Sequence, residues 1–129
     1  MRFPGEMSTV LIVEDNVPFR EIIKNTLKSH FPWAIIYEAG EGNAALQIVD
    51  THDPELVFMD IRLPGENGLV LTKKIKGLHP RTPVIILTGC DAVEYREAAT
   101  QSGANCFMTK DSMNWQQIET CVRSVLQAQ

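Results

Sequence analysis

Short apolar runs alternate with helix-like segments along this chain, and that alternation constrains the fold more than any other feature. The runs are brief and rich in branched or aromatic residues, and three are apolar throughout, as is typical of strands covered on both faces. Strict alternation over 129 residues predicts one α/β domain in which right-handed crossovers build a parallel sheet between layers of helices. The predicted strands are residues 10–13, 34–37, 56–59, 84–87 and 105–109.

Apolar residues at helical spacing occupy the segments between these runs. The first helix is predicted to begin after Asn16, a residue that can cap it, with Pro18 in its first turn. The segment from Ala92 to Ser102 has the weakest apolar stripe, which predicts a loosely held helix. The stripes expected to face the sheet are Phe19, Ile22, Ile23 and Leu27 in the first helix, Leu71, Ile75 and Leu78 in the third, and Trp115, Ile118, Val122 and Val125 in the last.

Composition excludes several classes of function. The net charge of −4 gives no electrostatic reason to bind nucleic acid or anionic lipid directly, and no apolar run approaches the length that crosses a membrane. The cysteines Cys90, Cys106 and Cys121 are odd in number and lack a C-x-x-C spacing, so neither a disulfide framework nor a zinc site is predicted, and a reducing cytoplasm fits. We expect residues 1–8 to be a flexible leader and 9–129 to form the domain.

Polar residues stand at the ends of four of the predicted strands. Glu14 and Asp15 follow the first, Asp60 the third, Thr88 the fourth and Lys110 the fifth. Because ligands of open α/β sheets bind beyond the carboxyl ends of the strands, we expect these side chains to converge on one edge.

The three carboxylates repel one another, which favours a divalent cation with oxygen ligands, most naturally Mg²⁺. A lysine and a threonine hydroxyl beside such an ion suit a phosphoryl group, and a strand-end carboxylate can act as its nucleophile.

Each residue alone has an ordinary explanation. Asp15 could cap a helix, Glu14 could be a solvated loop charge, Asp60 could belong to an Asx turn, and Lys110 could be a surface lysine. Their coincidence at strand ends is what favours a site. The three histidines, by contrast, lie where helices should end and are interpreted as caps rather than ligands; they are His30, His52 and His79.

The combination Glu14-Asp15, Asp60 followed by Pro64-Gly65 and Gly68, Thr88-Gly89, and Lys110 resembles the receiver domain of two-component response regulators. The resemblance covers about residues 9–128 and implies a doubly wound, five-stranded parallel sheet of order 2-1-3-4-5, the flavodoxin-like (CheY-like) three-layer sandwich. It implies that Asp60 accepts the phosphoryl group. Glu14, Asp15, Asp60 and the main-chain carbonyl of Arg62 would hold Mg²⁺, Thr88 and Lys110 would contact the phosphoryl oxygens, and Thr88 and Phe107 would form the switch.

By the same resemblance, the donor is a sensor histidine kinase or a phosphotransfer protein, and the domain catalyses only its own phosphorylation and dephosphorylation. The face made by the fourth helix, fifth strand and fifth helix would act on an output domain or partner, with transcriptional control expected and a homodimer as one candidate. Lys110 is followed by Asp111 where many receivers have proline, and the opening P18-F-R-E21 resembles receivers of LuxR-type regulators. Phe107 stands where tyrosine is commoner, so no phenolic hydroxyl is available.

Three other functions fit the sequence less well. A phosphatase of the haloacid dehalogenase type would need an aspartate two residues after Asp60, where this chain has Arg62. A flavodoxin-like flavin binder would need a loop rich in hydroxyls and glycine after the first strand, where this chain reads E14-D-N-V17. A degenerate receiver that acts only by binding is disfavoured by the intact set of polar residues, and labelling with a phosphodonor separates it from an active one.

Overall fold

A five-stranded parallel sheet forms the centre of the molecule. The computed structural model describes residues 8–89, 93–111 and 113–127. Numbered in chain order, the sheet strands are β1 (Thr9–Val13), β2 (Ile35–Ala39), β3 (Leu56–Asp60), β4 (Val84–Thr88) and β5 (Cys106–Thr109). They lie in the order β2-β1-β3-β4-β5, and every neighbouring pair is parallel. The predicted doubly wound topology is therefore confirmed.

Helices cover both faces of this sheet. One apolar cluster joins alternate residues of β1, β3, β4 and β5 to the helices α1 and α5, and a second joins the intervening residues to α2, α3 and α4. A two-stranded hairpin, Arg62–Leu63 with Glu66–Asn67, precedes α3 and turns at Gly65, whose φ of 75° suits glycine. The helices are α1 (Val17–His30), α2 (Gly42–His52), α3 (Gly68–Leu78), α4 (Val93–Gln101) and α5 (Trp115–Gln127).

The helix ends follow the capping chemistry of the sequence. Asn16 caps α1, because its side-chain Oδ1 accepts a hydrogen bond of 2.9 Å from the backbone N–H of Phe19. His30 and His52 end α1 and α2, and His79 is the C-cap of α3. These placements confirm that the histidines lie at helix ends.

Two predicted core residues are exposed instead. Ile22 is 57% exposed and Leu78 is 67% exposed. Ile22 lies off the line of Phe19, Ile23 and Leu27, residues spaced by four that face the sheet. Leu78 is the last residue of α3, so its stripe ends before it. The weak stripe of α4 is confirmed, since Ala99 is the only one of its described residues that is buried.

The cysteines also depart from expectation. Cys106 in β5 and Cys121 in α5 form a disulfide bond, although no disulfide was predicted. Sequence spacing could not reveal it, because the pairing depends on α5 folding back across the edge strand. Cys90, the start of the predicted Ala92–Ser102 segment and residues 1–7 of the expected leader lie outside the described residues. No helix in the described ranges is both long enough and apolar enough to span a membrane.

Candidate functional site

The carboxyl ends of the strands bring the predicted polar residues to one edge of the sheet. Asp60 is the last residue of β3 and pairs in register with Leu87 of β4. Backbone hydrogen bonds fix the residues that follow two other strands: Glu14 donates to the carbonyl of Ala39 at 2.9 Å, and Lys110 donates to that of Thr88 at 2.8 Å. The predicted convergence is therefore a consequence of strand register.

Three carboxylates form a cluster at this edge. One oxygen from each of Glu14, Asp15 and Asp60 lies within 4.8 Å of the others. Glu14 is fully buried, Asp60 is 5% exposed and Asp15 is exposed to solvent. Buried carboxylates that share a site are costly without a compensating charge, and an all-oxygen donor set suits a hard cation such as Mg²⁺. The cluster could thus hold a metal ion.

Lys110 supplies a positive charge to the buried pair. Its Nζ lies 2.5 Å from Oε1 of Glu14 and 3.4 Å from Oδ1 of Asp60. The same ammonium lies 4.6 Å from the centroid of the Phe19 ring, a distance at which the ring face attracts a cation. The Lys110 head group is therefore held between two carboxylates and an aromatic face.

Asp60 titrates above its ordinary range. Burial is the largest cause, followed by the negative charge of Glu14, and together they raise the pKa of Asp60 to about 6 against the opposing effect of Lys110. The carboxyl group is consequently ionised in most molecules at neutral pH and above, which is the form that a carboxylate needs in order to attack an electrophile.

A cavity of about 260 Å³ opens over Asp60. Its lining residues are Asp60, Arg62, Thr88, Gly89 and Lys110. A carboxylate, an ammonium group and a buried hydroxyl thus border a space large enough for a phosphoryl group.

The start of α3, just after the hairpin, contacts the backbone at Asp60 and Ile61. The N–H of Gly68 donates to the carbonyl of Ile61 at 2.7 Å, and a Cβ atom at Gly68 would overlap the carbonyl oxygen of Asp60. Glycine is required here because two backbone segments touch.

Sequence reasoning missed two residues of α1 that act on the site. Phe19 was assigned to the core, yet its ring also contacts Lys110. Arg20 donates from Nη1 to the carbonyl of Glu14 at 2.9 Å and from Nε to Glu38 at 3.1 Å. The available signal was their position within two turns of the Glu14-Asp15 pair.

Phe107 lies on the face of β5 that packs against α4. Its half-buried ring joins the second apolar cluster, and Cζ of Arg96 lies 4.7 Å from the ring centroid. Beside them a cleft of about 520 Å³ separates α4 from α5. The predicted switch residue is therefore covered by a cation from the weakly packed helix.

The family model of the response regulator receiver domain matches residues 10–123. This chain belongs to the response regulator receiver family. The receiver domain is 34% identical over 106 residues to the transcriptional regulatory protein YdfI of Bacillus subtilis, an alignment that covers 82% of this chain and 49% of that protein.

Solved structures agree with this assignment. The receiver domain of NtrX from Brucella abortus superposes with a TM-score of 0.84 at 28% identity, covering 93% of this chain and 99% of that one. A LuxR-family response regulator from Aurantimonas gives a TM-score of 0.87 over 96% of this chain and 88% of its own, but at 22% identity it supports the fold alone. The receiver domain spans about half the length of curated relatives such as YdfI. It is a signalling domain of two-component systems.

Proposed function

We propose that Asp60 accepts a phosphoryl group from a phosphohistidine on a sensor histidine kinase or a phosphotransfer protein. The observation that carries the proposal is the cavity where Asp60, Thr88 and Lys110 meet. A carboxylate oxygen of Asp60 attacks phosphorus, the P–N bond breaks, and its electron pair remains on the imidazole. The domain promotes only its own phosphorylation and dephosphorylation.

The acidic cluster is assigned to Mg²⁺, with Glu14, Asp15, Asp60 and the main-chain carbonyl of Arg62 as ligands. Oxygen donors only, two of them on buried carboxylates, fit this ion. When bound, Mg²⁺ supplies positive charge against the phosphoryl oxygens. Lys110 and the hydroxyl of Thr88, which line the same cavity, would contact those oxygens as well.

The output is a change in one face of the molecule, residues 89–126, which we call the output face. It comprises α4, β5 and most of α5. Thr88 moves toward the phosphoryl group, the start of α4 follows, and Phe107 turns inward. The weak packing of α4 and the cleft beside Phe107 support this path.

The rearranged output face is suited to act on an attached effector. A transcriptional effector is the first candidate, because the relative YdfI is a transcriptional regulatory protein. A homodimer through the same face is the second candidate. We assign the domain to the cytoplasm, and we expect no direct contact of this chain with nucleic acid or membrane, given its net charge of −4.

Intact mass analysis after incubation with acetyl phosphate tests the acceptor assignment. The wild type should gain one phosphoryl group, in the labile bond of an acyl phosphate, only with Mg²⁺, and Asp60→Asn should gain none. Asp53→Asn is the matched control, because Asp53 is an exposed carboxylate in the left-handed conformation that asparagine also adopts. Equal labelling of wild type and Asp60→Asn would refute the assignment.

Hydrogen exchange with the phosphate mimic beryllofluoride, compared with Mg²⁺ alone, tests the output face. We expect altered protection in residues 93–109, whereas changes confined to the loops around Asp15 and Asp60 would contradict the switch.

A further inference from the structure

A covalent bond crosses the output face. Cys106 is the first residue of β5 and the neighbour of Phe107, and its disulfide partner Cys121 lies in the second turn of α5. Side chains alternate along a strand, so Cys106 points toward α5 while Phe107 points toward α4. The bond therefore fixes the backbone beside the switch residue to the helix on the opposite side of the sheet.

We propose that Cys106 and Cys121 form a reversible redox modification site whose oxidised state restrains the output face. This proposal rests on the proposed function, because it concerns how far β5 and α5 rearrange after phosphorylation. Oxidation would weaken the rearrangement of the output face after phosphorylation, and reduction would restore it.

The position of the pair supports reversibility. Cys106 is half-buried, and Cys121 borders the cleft of about 520 Å³ between α4 and α5. Attack on a disulfide requires access to one of its sulfur atoms. In a cytoplasmic protein, disulfides are more often transient and sensory than structural.

The position also supports a restraint. β5 lies at the margin of the sheet and pairs with β4. Its apolar contact with α5 is made by residues such as Met108, Ile118 and Val122. Packed apolar side chains can slide past one another, whereas a bond between the two elements prevents their separation.

Oxidation proceeds by exchange with a low-molecular-weight disulfide such as glutathione disulfide. A thiolate of the pair attacks it, forming a mixed disulfide and releasing one glutathione. The second protein thiolate attacks the protein sulfur of that mixed disulfide and releases the other glutathione. Two protein thiols lose two electrons, glutathione disulfide gains them, and the two thiol protons end on the released glutathione molecules.

The first test is a titration in buffers of defined ratio of reduced to oxidised glutathione, with alkylation of free thiols and peptide mass analysis. We expect Cys106 and Cys121 to pair with each other in oxidising buffer and to separate in reducing buffer while the domain stays folded. A pair that remains reduced in pure glutathione disulfide overturns the proposal, and so does a bond that opens only on unfolding.

The second test repeats the beryllofluoride hydrogen exchange on oxidised and reduced protein. The change in exchange rate at residues 106–109 and 115–121 should be at least threefold smaller in the oxidised form. Cys121→Ser should match reduced wild type in both buffers. Equal responses of the two wild-type forms, or a redox effect that persists in Cys121→Ser, overturn the restraint.

Labelling of Asp60 by acetyl phosphate distinguishes failure of the redox restraint from failure of the proposed function. Equal labelling in both redox states with equal exchange refutes the restraint and leaves the proposed function intact. Absence of labelling in both states refutes the proposed function, and the glutathione titration still decides whether the pair is a reversible site.

Discussion

At the scale of single residues, Asp60 carries a charge in a place that makes ionisation costly. Its pKa is raised to about 6, so between about pH 4 and 6 the folded state binds more protons than the unfolded state. The stability of the metal-free protein should therefore fall as pH rises through this window. Well above pH 6 the carboxyl group is ionised in both the folded and the unfolded state, so its titration no longer changes the stability.

Asp60→Asn should remove that cost. In metal-free buffer at pH 8 we expect its free energy of unfolding to exceed that of the wild type by about 2 kcal/mol, with no advantage at pH 4. Urea unfolding at several pH values measures the difference. A constant offset between the two proteins across pH, or the same pH-dependent difference in the control Asp53→Asn, would contradict the assignment.

Phe19 positions the ammonium of Lys110 through its ring face. Phe19→Leu keeps an apolar side chain but removes that attraction, and we expect labelling by acetyl phosphate to slow by about two- to fivefold. Phe31→Leu, a core substitution without that contact, should lower stability and leave the labelling rate unchanged. If both variants slow labelling equally, the effect is one of packing rather than of Lys110.

Residue 68 must be glycine, because its backbone lies against the carbonyl group of Asp60. Gly68→Ala would force the Asp60 carbonyl away from α3, so we expect a loss of roughly 2 kcal/mol or more in unfolding free energy and weaker labelling. Gly77→Ala in the same helix has open space for the methyl group and should be neutral or slightly stabilising. Equal melting temperatures for Gly68→Ala and the wild type would refute the close approach.

At the scale of elements, α4 buries Ala99 alone among its described residues, and the guanidinium of Arg96 lies over the ring of Phe107. Arg96→Ala should raise hydrogen-exchange rates in residues 93–101 about twofold or more without affecting β1 or β3. Glu97→Ala, at an exposed neighbouring position, serves as the control. If exchange in α4 is the same in both variants, the contact does not hold the helix.

The sequence predicted the elements well where a local signal existed. Short apolar runs marked every strand of the sheet, and Asn16 marked the start of α1. Ile22 and Leu78 were misplaced because the width of a stripe and the point where a helix leaves the core depend on its neighbours. The Cys106–Cys121 bond and the contact of Phe19 with Lys110 join distant segments, so no local pattern encodes them.

The convergence of these polar residues was predictable because the topology of the sheet alone brings them together. Once the strands are parallel, residues that follow them must share an edge, and Glu14, Asp60 and Lys110 follow from that rule alone. What the rule could not give is the balance of charge: the direct ion pair of Lys110 with Glu14 and the raised pKa of Asp60 depend on burial.

At the scale of the whole molecule, the acidic cluster couples metal binding to folding. A cation that binds only the native state stabilises it in proportion to the logarithm of its concentration. Millimolar Mg²⁺ should therefore raise the melting temperature of the wild type by a few degrees. Asp15→Asn, which removes an exposed carboxylate of the cluster, should show a smaller shift. No shift in the wild type would exclude the site as assigned.

The sheet places Asp60 on a strand with partners on both sides and Phe107 on a strand at its margin. Central strands are held by two ladders of hydrogen bonds, so the strand that carries Asp60 can stay rigid while the strand at the margin adjusts. Substitutions along β5 and the adjoining helices should then alter which partner is recognised without retuning the chemistry. A new output partner could therefore be selected by substitutions at the margin of the sheet alone. This makes β5 the natural place to engineer the specificity of the domain.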